Sequence, residues 1–138
     1  MAMTFKVAKA FLDAQGLKNQ VVKEDTVLRV GFNADNKDTI EVLVIFDDND
    51  RTIALRSFHY VKFPPEKKDL MYRVCSQLNT NFRWVKFYVD EEDNSITMAD
   101  DAVVQIDGCG EEVRELVLRM VSIGDDAYPK FMQAIYAS

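Results

Sequence analysis

Two cysteines, three prolines, five glycines and one histidine are all that 138 residues hold of those types. Two cysteines are too few for a disulfide scaffold, so stability must come from apolar burial. One histidine and two well-separated cysteines do not make the three or four ligands of a zinc site. The low glycine and proline content excludes collagen-like and low-complexity chains. No uncharged apolar run of about 18 residues occurs, so no membrane-spanning helix is expected. Met1 to Lys9 has no apolar stretch of signal-peptide length. The expected location is therefore the cytoplasm, with Cys75 and Cys109 reduced. Phosphate-binding loops are missing as well: neither G-x-x-x-x-G-K-[ST] nor G-x-G-x-x-G is present.

What is present is an ordinary globular composition, 48% hydrophobic and 29% charged, in a length that suits one domain. Seventeen Lys and Arg face 23 Asp and Glu, for a net charge of −6. An acidic domain is repelled by phosphates, which disfavours nucleic acid as a partner.

Periodicity predicts a helix over Thr4–Gln15, with Phe5, Ala8, Phe11 and Leu12 on one face, Thr4 as cap and Gly16 as terminator. Strands are predicted at Asn19–Lys23, Thr26–Phe32, Thr39–Phe46 and Arg51–Phe63. The third is apolar on both sides, with Ile40, Val42, Val44 and Phe46 opposite Leu43 and Ile45. Such a strand belongs in the centre of a sheet with each face covered; helices can cover one, leaving the other to a second layer or a second subunit. In the fourth strand, alternation sets Ile53, Leu55 and Val61 against Phe58 and Tyr60. Pro64-Pro65 ends it and opens a second helix, Pro65–Thr80, striped by Leu70, Met71, Val74, Cys75 and Leu78. Strands at Trp84–Asp90 and Ser95–Val104 follow. A last helical region starts near Gly108 and is expected to bend or break at Gly124 and Pro129. The order is α-β-β-β-β-α-β-β-α, and short connections imply antiparallel pairing, hence an α+β fold with helices packed on an antiparallel sheet.

Chemistry is sparse. Gly108-Cys109-Gly110 lies where a helix begins, and a helix N-terminus can lower a thiol pKa, which makes Cys109 the candidate for a small thiol enzyme. His59 is the only imidazole a nucleophilic site could use, and alternation places it with Ser57 and Leu55. Asp90, Glu92, Asn94 and Asp101 stand at positions 1, 3, 5 and 12 of a calcium-type loop, but Ser95 occupies the glycine position and Asp101 replaces the usual glutamate. Phe82, Trp84 and Tyr88 could form a stacking platform for single-stranded nucleic acid, against the charge balance and without a basic stripe. None of these adds up to a catalytic, cofactor or metal site, and no cofactor is expected.

Several phrases in order resemble the YbjN domain family of bacteria: Val27-Leu28-Arg29-Val30-Gly31-Phe32, Val42-Leu43-Val44-Ile45-Phe46, Phe82 through Asp90, Cys109-Gly110-Glu111-Glu112-Val113 and Asp126-Ala127-Tyr128-Pro129. The resemblance covers nearly the whole chain. It implies a bacterial sensory transduction regulator without an established biochemical activity, and a fold similar to the chaperones of type III secretion. Those are small acidic cytoplasmic proteins that dimerise and hold a partner polypeptide. The expectation is a non-enzymatic, chaperone-like or regulatory protein-binding domain acting as a homodimer, with a client or regulatory protein as further partner. Leu43, Ile45, Phe58, Tyr60, Met71, Trp84 and Tyr88 are the interface candidates. A small-ligand sensor with a pocket between sheet and helices is the alternative.

Overall fold

The computed structural model describes residues 3–137; Met1 and Ala2, where the signal-peptide reading starts, lie outside them. Nine regular elements follow the expected order: α1 (Met3–Ala14), β1 (Asn19–Lys23), β2 (Val27–Asn33), β3 (Thr39–Phe46), β4 (Thr52–Lys62), α2 (Lys68–Asn81), β5 (Lys86–Asp90), β6 (Ser95–Val103) and α3 (Cys109–Tyr136). A 3-10 turn at Pro65–Lys67 leads into α2. The strands form one antiparallel sheet in the order β1-β2-β3-β4-β6-β5. The first four strands form a meander. α2 then carries the chain to the far edge, and β6 returns between β4 and β5.

Long-range hydrogen bonds set the helix ends. The Asp50 carboxylate caps α1 by accepting from the Thr4 backbone N–H at 3.1 Å and the Thr4 hydroxyl at 3.2 Å. This differs from the expected self-cap: Thr4 donates its hydroxyl instead of accepting with it, and it is fully buried. Gly16, at φ 72, ends α1 as expected. Leu17 N–H donates to the Leu12 carbonyl and Gly16 N–H to that of Asp13, which satisfies the last turn.

α3 runs unbroken through Gly124 and Pro129, so neither residue breaks it. Proline removes the N–H that the carbonyl of Asp125, four residues back, would accept. The Asn36 side-chain amide donates to that carbonyl instead, at 3.0 Å. The Asp125 carboxylate in turn accepts backbone N–H bonds from Asp35, Asn36 and Lys37, tying the β2–β3 loop to the helix. Gly124 permits close packing, since a Cβ there would lie 2.7 Å from Met98 Cε.

All the buried apolar residues of β3 lie on one face: Ile40, Val42, Val44 and Phe46. Helices pack on that inner face. Phe5 of α1 meets Phe46 edge-on at 5.5 Å. Phe131 of α3 packs on Tyr60 and Phe87 at 5.8 and 5.5 Å between ring centroids. α2 also guards one sheet edge. Asn79 pairs with the outward backbone groups of Phe87, accepting its N–H at 2.7 Å and donating to its carbonyl at 3.0 Å. The other edge, β1, is exposed and interrupted by a bulge between Val21 and Lys23, a device that discourages edge-to-edge pairing.

Candidate functional site

Among the described residues, no helix covers the opposite face of the sheet. Strand register sets its side chains in rows. One row reads Gln20, Arg29, Leu43, Arg56, Ala99 and Lys86; the next reads Val27, Ile45, Ala54 and Asp101. Val27, Leu43, Ile45, Ala54 and Ala99 are half-buried, whereas Phe58, Tyr88 and Val103 are exposed. Two ion pairs lie among them. Arg56 bonds Asp101 at 2.7 Å, and Arg29 approaches Glu41 at 3.9 Å. Asp101, and to a smaller extent Tyr88, hold the Arg56 guanidinium in its charged form. Exposed pairs of this kind add little to stability, but they fix charge at set points across an apolar strip. Shallow grooves flank the strip. One of about 600 Å³ includes Gln20, Arg29, Gly31 and Glu41, and one of about 400 Å³ includes Ala54, Arg56, Asp101 and Val103.

Four of the seven interface candidates therefore meet on this open face: Leu43, Ile45, Phe58 and Tyr88. The other three do not. Tyr60 is buried because β4 bulges between Ser57 and Val61, where His59 takes φ 55. The bulge breaks the alternation and turns Tyr60 inward with Val61, onto Phe87, Tyr128 and Phe131. Its hydroxyl donates to the Gly124 carbonyl, and burial raises its pKa. Met71 is fully buried on the inner stripe of α2. Trp84 is exposed but sits at φ 74, ahead of β5. Its ring lies under the Arg119 guanidinium of α3, at 4.7 Å, instead of following Lys86 and Tyr88 along the strand. Phe82 packs on Phe87, so Phe82, Trp84 and Tyr88 do not make a stacking platform.

The candidate reactive groups are also placed. Cys109 is buried, and its thiol donates to the Thr4 carbonyl at 3.2 Å. Burial first, then the Glu112 charge, push its pKa up to about 11. The helix N-terminus does not overcome that desolvation, so Cys109 is a packed thiol and not a reactive thiolate. Burial pushes Cys75 up to about 12. His59 lies outside the Leu55–Ser57 alternation, with its side chain 54% exposed and Nδ1 3.1 Å from Asp93 Oδ2. Ser95 donates its hydroxyl to the other Asp93 oxygen at 2.5 Å. The serine therefore binds the carboxylate and not the imidazole, an order that gives no relay to a nucleophile. The calcium-type spacing also dissolves. Asp101 pairs with Arg56, six residues along an extended strand from Ser95, which pairs with Asp90. Six residues of strand put them about 20 Å apart.

Sequence reasoning missed the buried carboxyl of Asp100, which sits on the inner side opposite Leu55 with Oδ2 unpartnered. Burial raises its pKa, while Arg119 pulls the other way. The alternation of β6 carried the signal, since Asp100 is in phase with Ile96 and Met98 whereas Asp101 is in phase with Ala99.

Comparison with known proteins agrees with this architecture. A family model described as "Putative bacterial sensory transduction regulator" matches residues 7–133. The crystal structure of YbjN from E. coli, described as a putative transcription regulator, is similar over 91% of this chain and 92% of that one, with 15% identity and a TM-score of 0.65. At that identity the likeness is one of fold. No curated protein matches the chain. Among the described residues, no helix is long and apolar enough to cross a membrane.

Proposed function

The chain belongs to the YbjN family, and from that premise we propose that it is a non-enzymatic regulatory domain working by polypeptide docking on the open face of its sheet. The first occupant of that face is a second copy of the chain, giving a homodimer. A client or regulatory protein would use apolar surface the dimer leaves free, much as a chaperone holds an unfolded segment. The setting would be the cytoplasm, with Cys75 and Cys109 kept as free thiols.

One observation supports the reading above the others. Leu43 and Ile45 occupy a central strand, yet their side chains remain partly exposed in this chain. Six strands about 4.8 Å apart and five to eleven residues long present roughly 700 Å² in projection. With side-chain relief, that approaches the ~800 Å² per partner of a standard interface. The same surface patch meeting itself across a two-fold axis is the commonest solution for a homodimer.

Light scattering on the purified chain tests this, alongside Leu43→Lys and Ile45→Lys. The wild type should be dimeric at micromolar concentration, and each variant should be monomeric with an unchanged circular dichroism spectrum. A wild-type chain that stays monomeric at the highest soluble concentration overturns the homodimer. Variants that remain dimeric place any dimer elsewhere on the surface.

A further inference from the structure

Just ahead of β5 and against Arg119 of α3, Trp84 presents the one indole of the chain to solvent, 53% exposed. Its φ of 74 is a conformation that bulky residues rarely adopt. Two guanidiniums lie over its ring, Arg83 at 5.0 Å and Arg119 at 4.7 Å from the centroid. The two arginines differ in what else they do. Arg119 bonds Glu115 at 3.1 Å and faces the buried Asp100 carboxyl, so its charge is already answered. It serves to pin the indole. Arg83 is exposed; its carbonyl accepts from Val85 N–H, but among the described residues its guanidinium has no hydrogen bond or ion pair and lies over the Trp84 ring. With no acceptor paired to it, the N–H donors of that guanidinium are unused. Those donors fit the two oxygens of a carboxylate.

We propose that Arg83 and Trp84 form a docking point for an acidic segment of a partner protein, Arg83 gripping one carboxylate side chain while the exposed edge of Trp84 takes an adjacent apolar residue. Trp and Arg are the side chains that most often dominate protein interfaces. A polyphosphate presents several charges that call for several free cations, whereas here Arg119 is already paired with Glu115, so the partner is a short peptide with a carboxylate side chain. A single local cation beside an aromatic anchor instead selects one carboxylate in an apolar context. This point stands on different residues from the open sheet face and is independent of whether the chain dimerises there.

Trp84 is its own reporter, since no other tryptophan contributes to the emission. The intact chain is titrated at low salt with a hexapeptide of alternating leucine and glutamate, and with its leucine–glutamine twin. Expected is a saturable change in emission with the glutamate peptide, lost in high salt and absent with the glutamine twin. Arg83→Gln should weaken binding roughly tenfold, the loss of one charge-assisted pair. Arg119→Gln should shift the emission of the free protein, with a smaller effect on affinity. Both positions lie on the surface, and a circular dichroism spectrum checks that the variants fold. Equal binding of the two peptides, binding untouched by Arg83→Gln, or no response at millimolar peptide overturns the proposal. So does a response to mixed phosphatidylcholine–phosphatidylglycerol vesicles with none to the peptide.

Discussion

Gly110→Ala is the most direct test of the contact between the first and last helices. An ideal Cβ on Gly110 would lie 2.5 Å from Phe11 Cγ, closer still to Phe11 Cβ and 3.1 Å from Phe11 Cδ1. These are the root atoms of the ring and not a flexible tip, so relief requires α1 to move as a body against α3. Overpacking of this kind costs about 2–3 kcal/mol. Alanine recovers at most about 1 kcal/mol of helix propensity, and less in the first turn. The net loss is about 1–2 kcal/mol, or roughly 3–6 °C in Tm for a chain of this size. Urea unfolding should show a lower midpoint with an unchanged slope. Phe11→Ala removes the obstructing atoms, so the double variant should be more stable than the sum of the two single changes by about 1–2 kcal/mol. Gly124→Ala is the contrast. There the nearest atoms are Met98 Cε at 2.7 Å and Sδ at 2.8 Å, the movable end of a flexible side chain. Its Tm should change by less than half as much. A Gly110→Ala variant as stable as the wild type, or strictly additive effects with Phe11→Ala, would refute the close approach of α1 and α3.

Asp50→Ala should cost about 1–2 kcal/mol in thermal unfolding, because it removes the cap of α1 and places alanine at φ 55; Asp50→Asn, which keeps an acceptor and tolerates that conformation, should cost less. Burial holds Asp100 above the ordinary aspartate range, so the folded state binds its proton more tightly than the unfolded state does. Its contribution to stability is therefore lost as pH rises from the unfolded pKa through the folded one, and Asp100→Asn should raise Tm at neutral pH with a gain that shrinks in acid. A Tm gap that widens toward low pH would contradict that sign. The thiols of Cys75 and Cys109, pushed up to about 12 and about 11, should react slowly with Ellman's reagent at mildly alkaline pH until the chain is unfolded, when both become titratable; fast native labelling of Cys109 would restore the reactive-thiolate reading.

The element order and the inner stripe were legible in the chain, because strand alternation and helical spacing are local properties. Ile40, Val42, Val44 and Phe46 declare one buried face without reference to anything distant. The doubly apolar character of β3 likewise placed it inside the sheet. The candidate surface was half legible. Leu43 and Ile45 follow from alternation, and Phe58 and Tyr88 lie on the same side. Tyr60 does not, because a bulge centred on an unremarkable Phe58-His59 pair resets the phase, and no local pattern marks a bulge that only the partner strand reveals.

By itself, then, the sequence determined which segments become strands and helices, the acidic balance, and the lack of a recognised catalytic or metal-binding motif. Tertiary structure alone decided that Asp50 caps a helix 46 residues away and that Asp125 gathers a loop about 90 residues before it. It also decided that Cys109 is desolvated and that Arg119 of α3 comes to rest over the Trp84 ring. The reason is physical: periodicity specifies the direction of a side chain relative to its own backbone, whereas burial, charge and hydrogen bonding depend on what other segments bring to the same place.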